Sequence, residues 1–593
     1  MDKENTRSTI TFMVVAALVL IAYQVFILQP QEKRRMAEQR AKAAAAAQAN
    51  TPAAAPPGSP VLVSREEAVA RSPRAPIDTP ALQGSLSLRG GRLDDLFLKN
   101  YHETLARNSP PVELFRPEGA KQAYFADFGW AGAPNLPTAQ TMWTKTAGDT
   151  LAPGKPVTLS FDNGQGLVFT RTFAVDDQYM FTVTDAVANK GGAPVKLAPY
   201  ASVQRQGEPQ PTLGIFEGAT GTVLDGAGKP ILQNITFKRM KQDGVHAFDT
   251  AGGWYGLTDK YWMAALAPSQ ARVRAQYRAT DVGGVEVFET NYVGQPAALA
   301  PGATLTETRH LFAGAKKDAV LEHYEKTLGL PHFSDAIDWG RLWFLTRPIF
   351  WLLSQFTLLT GSIGVAILLL TIVRVILTFP LYNKSFASTA EMKKLQPEIE
   401  EIKKRFPDEP AKQQQETMAL YKARKVNPLA GCIPALIPIP IFLALSKVFT
   451  VSIELRHAPF GFVHDLSAPD PTTFVNLFGL LPFDPAAVPA IGGFLAGPLH
   501  IGIIAILYGL AQWLVQAMSP QTASIDPTQR QIFQLMPLIF TFFMARFAAG
   551  LLIYWTWSSF LTLIQQYVIM HRHGTENPID SFLAKVRGRP AAA

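Results

Sequence analysis

The sequence predicts a polytopic α-helical membrane protein of six spans, five of them forming a C-terminal core, with a large all-β sandwich domain held outside. Three observations carry this. Long apolar runs are confined to the N-terminus and to the last 250 or so of the 593 residues, each near the roughly 20 residues that a bilayer core demands. The stretch between them alternates apolar and polar side chains at the period of a half-buried strand. Lys and Arg gather in a few short segments, as they do in cytoplasmic loops.

Residues 10–28 form the first apolar run. It exceeds the roughly 7–15 apolar residues of a secretory signal. Gln29-Pro30-Gln31-Glu32-Lys33-Arg34 follows it where a cleavage site needs small residues. The run, within residues 1–28, therefore reads as an uncleaved anchor. Residues 29–74 are rich in Ala, Pro and charge and make a linker that cannot bury a core.

Residues 75–330 read as the β domain. Residues 167–175 and 179–184 alternate as strands, with Asp176-Asp177 at the turn between them. Asn163-Gly164, Gly191-Gly192, Asp225-Gly226, Gly252-Gly253 and Gly283-Gly284 mark further turns, and many strands with few helices make a sandwich. Gly253-Trp254-Tyr255 and Tyr261-Trp262 have two readings: a sugar platform, or core filling. Residues 335–356 interleave Trp339, Trp343, Phe350 and Trp351 with Arg341 and Arg347, the pattern of an amphipathic helix lying in the membrane interface.

The core, residues 361–573, has five candidate spans at 363–382, 428–449, 498–518, 532–547 and 551–570. Residues 384–427 separate the first two as a charged helical hairpin. Met392, Leu395, Ile399, Ile402 and Phe406 give it an apolar seam, and Pro407 and Pro410 make its break. Residues 574–593 form a tail. Ten Lys or Arg lie in 383–427, whereas 450–497 holds only Arg456. Alternation then places both termini in the cytoplasm and the β domain outside. Lys33, Arg34, Arg35, Arg40 and Lys42 oppose this assignment locally. The net charge of +8 suits loops facing anionic lipid and calls for no nucleic-acid partner. Cys432 is the sole cysteine, so no intrachain disulfide or cysteine-rich metal site is expected.

Arg374 stands out inside span 363–382. An arginine at the bilayer centre costs roughly 2.5–3.5 kcal/mol on insertion scales. No Asp or Glu occurs in any of the five core spans to pair with it, which favours water. Thr371 and Thr378 share its helix face. Other spans carry polar stripes: Gln512 with Gln516, Ser558 with Thr562 and Gln565, and Gln534 with Thr541. These gather toward the cytoplasmic half. Phe542, Phe543, Phe547, Tyr554 and Trp555 gather toward the other. The pattern predicts a wet, positively charged cavity open to the cytoplasm and sealed outside. Snorkelling of Arg374 to the headgroups is the competing reading.

These segments together resemble the YidC family of bacterial membrane protein insertases. The resemblance rests on Val373-Arg374, on Met392-Lys393-Lys394-Leu395-Gln396-Pro397, and on Val426-Asn427-Pro428-Leu429-Ala430-Gly431-Cys432. It continues through Pro440-Ile441-Phe442-Leu443-Ala444-Leu445, His464-Asp465-Leu466-Ser467 and Gln516-Ala517-Met518-Ser519-Pro520. It implies a bacterial inner-membrane insertase and chaperone with a periplasmic sandwich, acting on nascent membrane proteins alone or with the Sec translocon. It also implies that Arg374 is the groove arginine. By position, Leu436, Ile439, Phe442, Phe543 and Phe547, with Tyr554 and Trp555 beside them, would form an apolar slide for the incoming helix. The charged hairpin would contact substrate and ribosome, and neither cofactor, metal nor catalytic residue is implied. Residues 474–498 look like an insertion in the outer loop. A small-anion transporter and a glycan-binding envelope protein acting through the β domain are the alternatives. The spans lack the repeated broken helices of transporters, and they also lack a protease motif.

Overall fold

The computed structural model describes residues 62–209, 214–269, 272–407, 409–424, 438–481, 500–518 and 527–572, with isolated positions at 483, 485, 488, 579 and 580. The predicted first span, most of the linker, Leu436 and most of the tail lie outside the described residues. The chain divides into two units after Asp338.

The first unit is a sandwich of two antiparallel sheets. One has ten strands and the other nine. Strands Leu167–Val175 and Met180–Asn189 pair directly. The first alternates strictly between buried and half-buried positions, as its sequence period requires. Asp176 closes the turn between them by accepting from the N–H groups of Gln178 and Met180 at 2.9 and 3.0 Å. Trp254 and Tyr255 are fully buried, and the Trp254 indole donates to Pro331 O at 3.0 Å. These two aromatics fill the core and offer no face to a sugar. Trp262 is half-buried and packs edge-on against Tyr101.

One inward position in that alternation holds Arg171. Its guanidinium grips both oxygens of Asp185, opposite it in register, at 2.7 and 2.9 Å. Arg309 takes Asp185 Oδ2 at 2.6 Å from the other side. Arg171 also donates to Gly91 O at 2.9 Å, and Arg309 to Tyr200 O at 2.7 Å. Tyr200 belongs to the opposite sheet, and Gly91 leads into one of its strands. The buried charges are thus hydrogen-bonded on several sides, the condition under which buried ions are tolerated, and they tie one sheet to the other.

In the second unit we number the helices α1 Trp343–Thr360, α2 Ile363–Lys394, α3 Gln396–Arg405, α4 Pro410–Ala423, α5 Pro438–Val451, α6 Ile503–Met518, α7 Pro527–Met544 and α8 Ala549–Arg572. The aromatic helix starts at Trp343, later than the expected 335. Gly340, at φ +72°, stands between it and a 3-10 turn at Phe333–Ala336. Trp343, Phe344, Trp351, Leu358 and Leu359 are exposed along it, while Phe350 and Leu353 are buried. α2 runs unbroken beyond the predicted end at 382 as far as Lys394. The hydrophobic run ends there, but the backbone ladder needs no apolar side chains to continue. Its stretch Ile363–Lys384 is 22 residues, about 33 Å, enough to cross a bilayer. The apolar helices Ile439–Val451 and Ile503–Met518 are shorter. α3 and α4 form the charged hairpin, with Arg424 reaching Glu398 at 2.9 Å.

α8 packs on α2, α5 and α6, and α7 packs on α6. Glycines permit close crossings. A Cβ on Gly509 of α6 would overlap the Thr541 hydroxyl of α7, and one on Gly550 of α8 would press on Phe449 of α5. The connection 456–472 caps two helices. Asp470 Oδ2 accepts from Ile504 N, and Thr472 Oγ1 from Ile503 N, both at 2.9 Å, at the start of α6. Ala468 O and Leu466 O accept from Ala549 N and Gly550 N at 2.7 and 3.0 Å, at the start of α8.

Candidate functional site

Arg374 lies near the middle of the membrane-length part of α2. Its Nη1 donates to Ser558 Oγ of α8 at 2.9 Å. Two turns on, Tyr382 places its ring 6.0 Å from the guanidinium carbon. Tyr382 is buried against Ile569. Arg374 Nε is buried with no hydrogen-bond partner, and among the described residues no carboxylate pairs with this arginine. The charge is therefore held by neutral groups and keeps donor capacity to spare.

The threonines on the same face are spoken for. Thr371 is fully buried and donates to Ile367 O at 2.8 Å; Thr378 donates to Arg374 O at 2.9 Å. Thr562 likewise donates to Ser558 O at 2.8 Å. These hydroxyls close back on their own helices, the usual fate of Thr inside a span. Gln565 and Gln566 are buried on α8, and Gln565 Nε2 and Gln566 Oε1 have no partner. Such orphaned polar atoms in a helix core are costly unless water or a ligand reaches them. Gln512 donates to Tyr508 OH at 3.0 Å, and Gln516 is half-buried one turn further along α6.

The aromatic residues form one connected series. Phe543 packs on Phe547, Phe547 on Phe442, Phe442 on Trp555 and Trp555 on Tyr508, with centroid separations of 5.3, 6.1, 5.4 and 6.3 Å. This brings α5, α6, α7, α8 and the α7–α8 connection together. Through Tyr508 it meets the polar Gln512. Ile439 and Phe543 are more than half exposed, at 52% and 58%. Tyr554 departs from the expected slide. It is 2% exposed, facing the interior rather than an open surface. The helix period explains this, since Tyr554 precedes Ser558 by one turn and shares its inward face.

Tyr382 and Tyr508 are the groups that sequence reasoning passed over as site residues. Tyr382 sits at the end of the apolar run, where a tyrosine reads as an interfacial anchor. Only its spacing of eight from Arg374, two helical turns, hinted otherwise.

Comparison with known proteins gives two family matches. Residues 74–352 match a family model described as the YidC periplasmic domain. Residues 355–576 match one described as 60Kd inner membrane protein. A membrane protein insertase YidC from Caulobacter vibrioides (strain NA1000 / CB15N) is 50% identical over 620 residues, covering 100% of both chains. Its counterpart from Bradyrhizobium diazoefficiens is 43% identical, covering 96% of this chain and 97% of the relative. The crystal structure of an active YidC insertase with its first transmembrane domain resolved aligns over 94% of this chain and 99% of its own, at 16% identity and a TM-score of 0.35.

Proposed function

We propose that this chain, which belongs to the YidC family of membrane protein insertases, works through the Arg374 site as a half-open polar groove. The family is an inner-membrane insertase and chaperone with a periplasmic domain, not an enzyme, and its substrates are nascent membrane proteins. In our reading, the acidic, hydrophilic segment of a client enters from the cytoplasm and is drawn to Arg374. Its apolar helix leaves along Leu436, Ile439, Phe442, Phe543, Phe547 and Trp555. A charge inside a wet cavity shortens the polar distance that the client tail must cross and favours carboxylates over lysines. Burial of the client's apolar helix in lipid supplies the free energy, so no nucleotide is needed.

The observation that carries this reading is the bonding of Arg374. A mid-span guanidinium held by Ser558 and Tyr382, with a buried N–H left over, is poised for an anionic visitor rather than locked in an ion pair. Both termini face the cytoplasm in this scheme. The connection 456–472, capping α6 and α8, closes the outer end. The α3–α4 hairpin contacts client and ribosome, and the chain acts alone or with the Sec translocon.

The test uses proteoliposomes of the full chain and a single-span client with a short acidic outer tail, scored by protease protection. Arg374→Ala should lower protected client sharply while Arg374→Lys keeps part of it. Equal insertion by wild type and Arg374→Ala would remove the charge from the mechanism.

A further inference from the structure

We propose that the outer-loop segment beginning at Phe474 is a membrane anchor whose apolar side chains insert into the bilayer surface beside α6. The described part covers residues 474–481 and Phe483. No charged residue occurs between Asp470 and Asp484. Phe474, Leu477, Leu480, Leu481 and Phe483 are all exposed, Leu480 by 82%. A patch of this composition left in water is the exception on a protein surface and marks something that covers it.

Two further observations identify the cover as lipid. The first is the fate of the backbone. Phe474 N donates to Ile501 O at 3.0 Å, Val475 N to Thr473 Oγ1 at 3.3 Å, and Phe478 N to Thr473 O at 2.8 Å. Gly479 N and Leu481 N both donate to Asn476, through Oδ1 and O, each at 3.0 Å. Leu480 N reaches Leu477 O at 3.2 Å, and Phe483 N reaches Leu481 O at 2.9 Å. The Asn476 carboxamide also donates to Phe483 O at 3.3 Å. The N–H groups at 474, 475, 478–481 and 483 are thus answered within the protein while leucines and phenylalanines face outward, which lowers the cost of entering a medium without hydrogen-bonding partners. Leu477 and Phe478 both adopt left-handed backbone, at φ 50° and 58°, an uncommon conformation for large side chains.

The second observation is where the segment is rooted. Phe474 bonds to Ile501, two residues before α6 begins, and Asp470 and Thr472 cap the same helix end. The loop therefore emerges at the start of the apolar helix α6, which the topology proposed above places at the outer bilayer surface. Its occupant follows from the exposed apolar face of α6 beside it, Leu507, Leu510 and Trp513, which calls for the same cover. A second copy of the chain is the rival occupant.

The experiment places a polarity-sensitive fluorophore at Leu480→Cys in the full chain, with the sole native cysteine removed by Cys432→Ser, in proteoliposomes. Leu477→Cys gives an independent second site, and Leu105→Cys, exposed on the β domain, reports water. The anchor predicts blue-shifted emission at 480 and 477, quenching by lipids spin-labelled near the headgroup, and iodide quenching several-fold weaker than at 105. Iodide quenching at 480 equal to that at 105 would overturn it. So would a blue shift that lipid quenchers leave untouched and that fades as the protein-to-lipid ratio falls, since a second copy would then be the cover.

Discussion

Arg374 and Ser558, 184 residues apart in sequence, meet through one 2.9 Å hydrogen bond that joins α2 to α8 in the middle of the helical core. The bond orients the guanidinium without neutralising it. Ser558→Ala should therefore leave the charge in place but looser, slowing client insertion by roughly fivefold, the equivalent of about 1 kcal/mol. The measurement is the initial rate of protease-protected product beside Arg374→Ala, which should fall further.

Tyr382 holds the other side of the same guanidinium. A ring near a cation contributes about 0.5–2 kcal/mol, depending on desolvation. Tyr382→Phe keeps the ring and should keep most of the insertion rate. Tyr382→Leu should lose several-fold, with the loss confined to acidic-tailed clients. An equal loss with a neutral-tailed client would show that Tyr382 acts in packing alone.

Exposure separates the proposed slide residues from the buried Tyr554. Photocrosslinkers at Ile439 or Phe543 should capture a stalled client, whereas one at the buried Tyr554 should not. Efficient capture at 554 would mean that α8 turns outward when a client is bound.

Gly509 sets the approach of α6 to α7 against the Thr541 hydroxyl, which itself donates to Pro537 O at 2.8 Å. Gly509→Ala should lower the thermal midpoint of the purified chain. The overpacking cost is typically about 1–3 kcal/mol. Adding Thr541→Ala should restore part of it, because the clashing oxygen is gone. A double-variant cycle without coupling would remove the contact from the account.

In the β domain, burial alone would raise the Asp185 carboxyl, but the guanidinium groups of Arg171 and Arg309 outweigh it and hold the group below the ordinary carboxylate range. A folded value below the unfolded one, about 3.9, means that the stabilisation is complete above the unfolded value and is lost as pH falls through the folded one. Asp185→Asn should cost about 3–5 kcal/mol of domain stability at neutral pH, because two buried guanidinium groups lose their anion. Calorimetry of the full chain should show the gap between wild type and variant narrowing below about pH 4.

Much of this was legible in the chain itself. Composition and period determined the division into a β domain and an apolar helical core, because burial on one face of a strand or in lipid selects side chains locally. The lone arginine and its threonine face could be read from span 363–382 for the same reason: a charge in a run of Ile, Leu and Val needs no coordinates to be conspicuous. The aromatics around Trp254 kept two readings until the fold showed them buried.

Tertiary structure alone decided which neutral groups hold Arg374, since Ser558 and Tyr382 reach it only once α8 lies against α2. It also decided that Tyr554 faces inward, that Gly509 meets Thr541, and that Asp185 serves two arginines. The physical reason is shared. Amphipathic period tells a residue which face it occupies, but the identity of the partner across that face depends on how separate elements pack, and no local pattern in the chain encodes it.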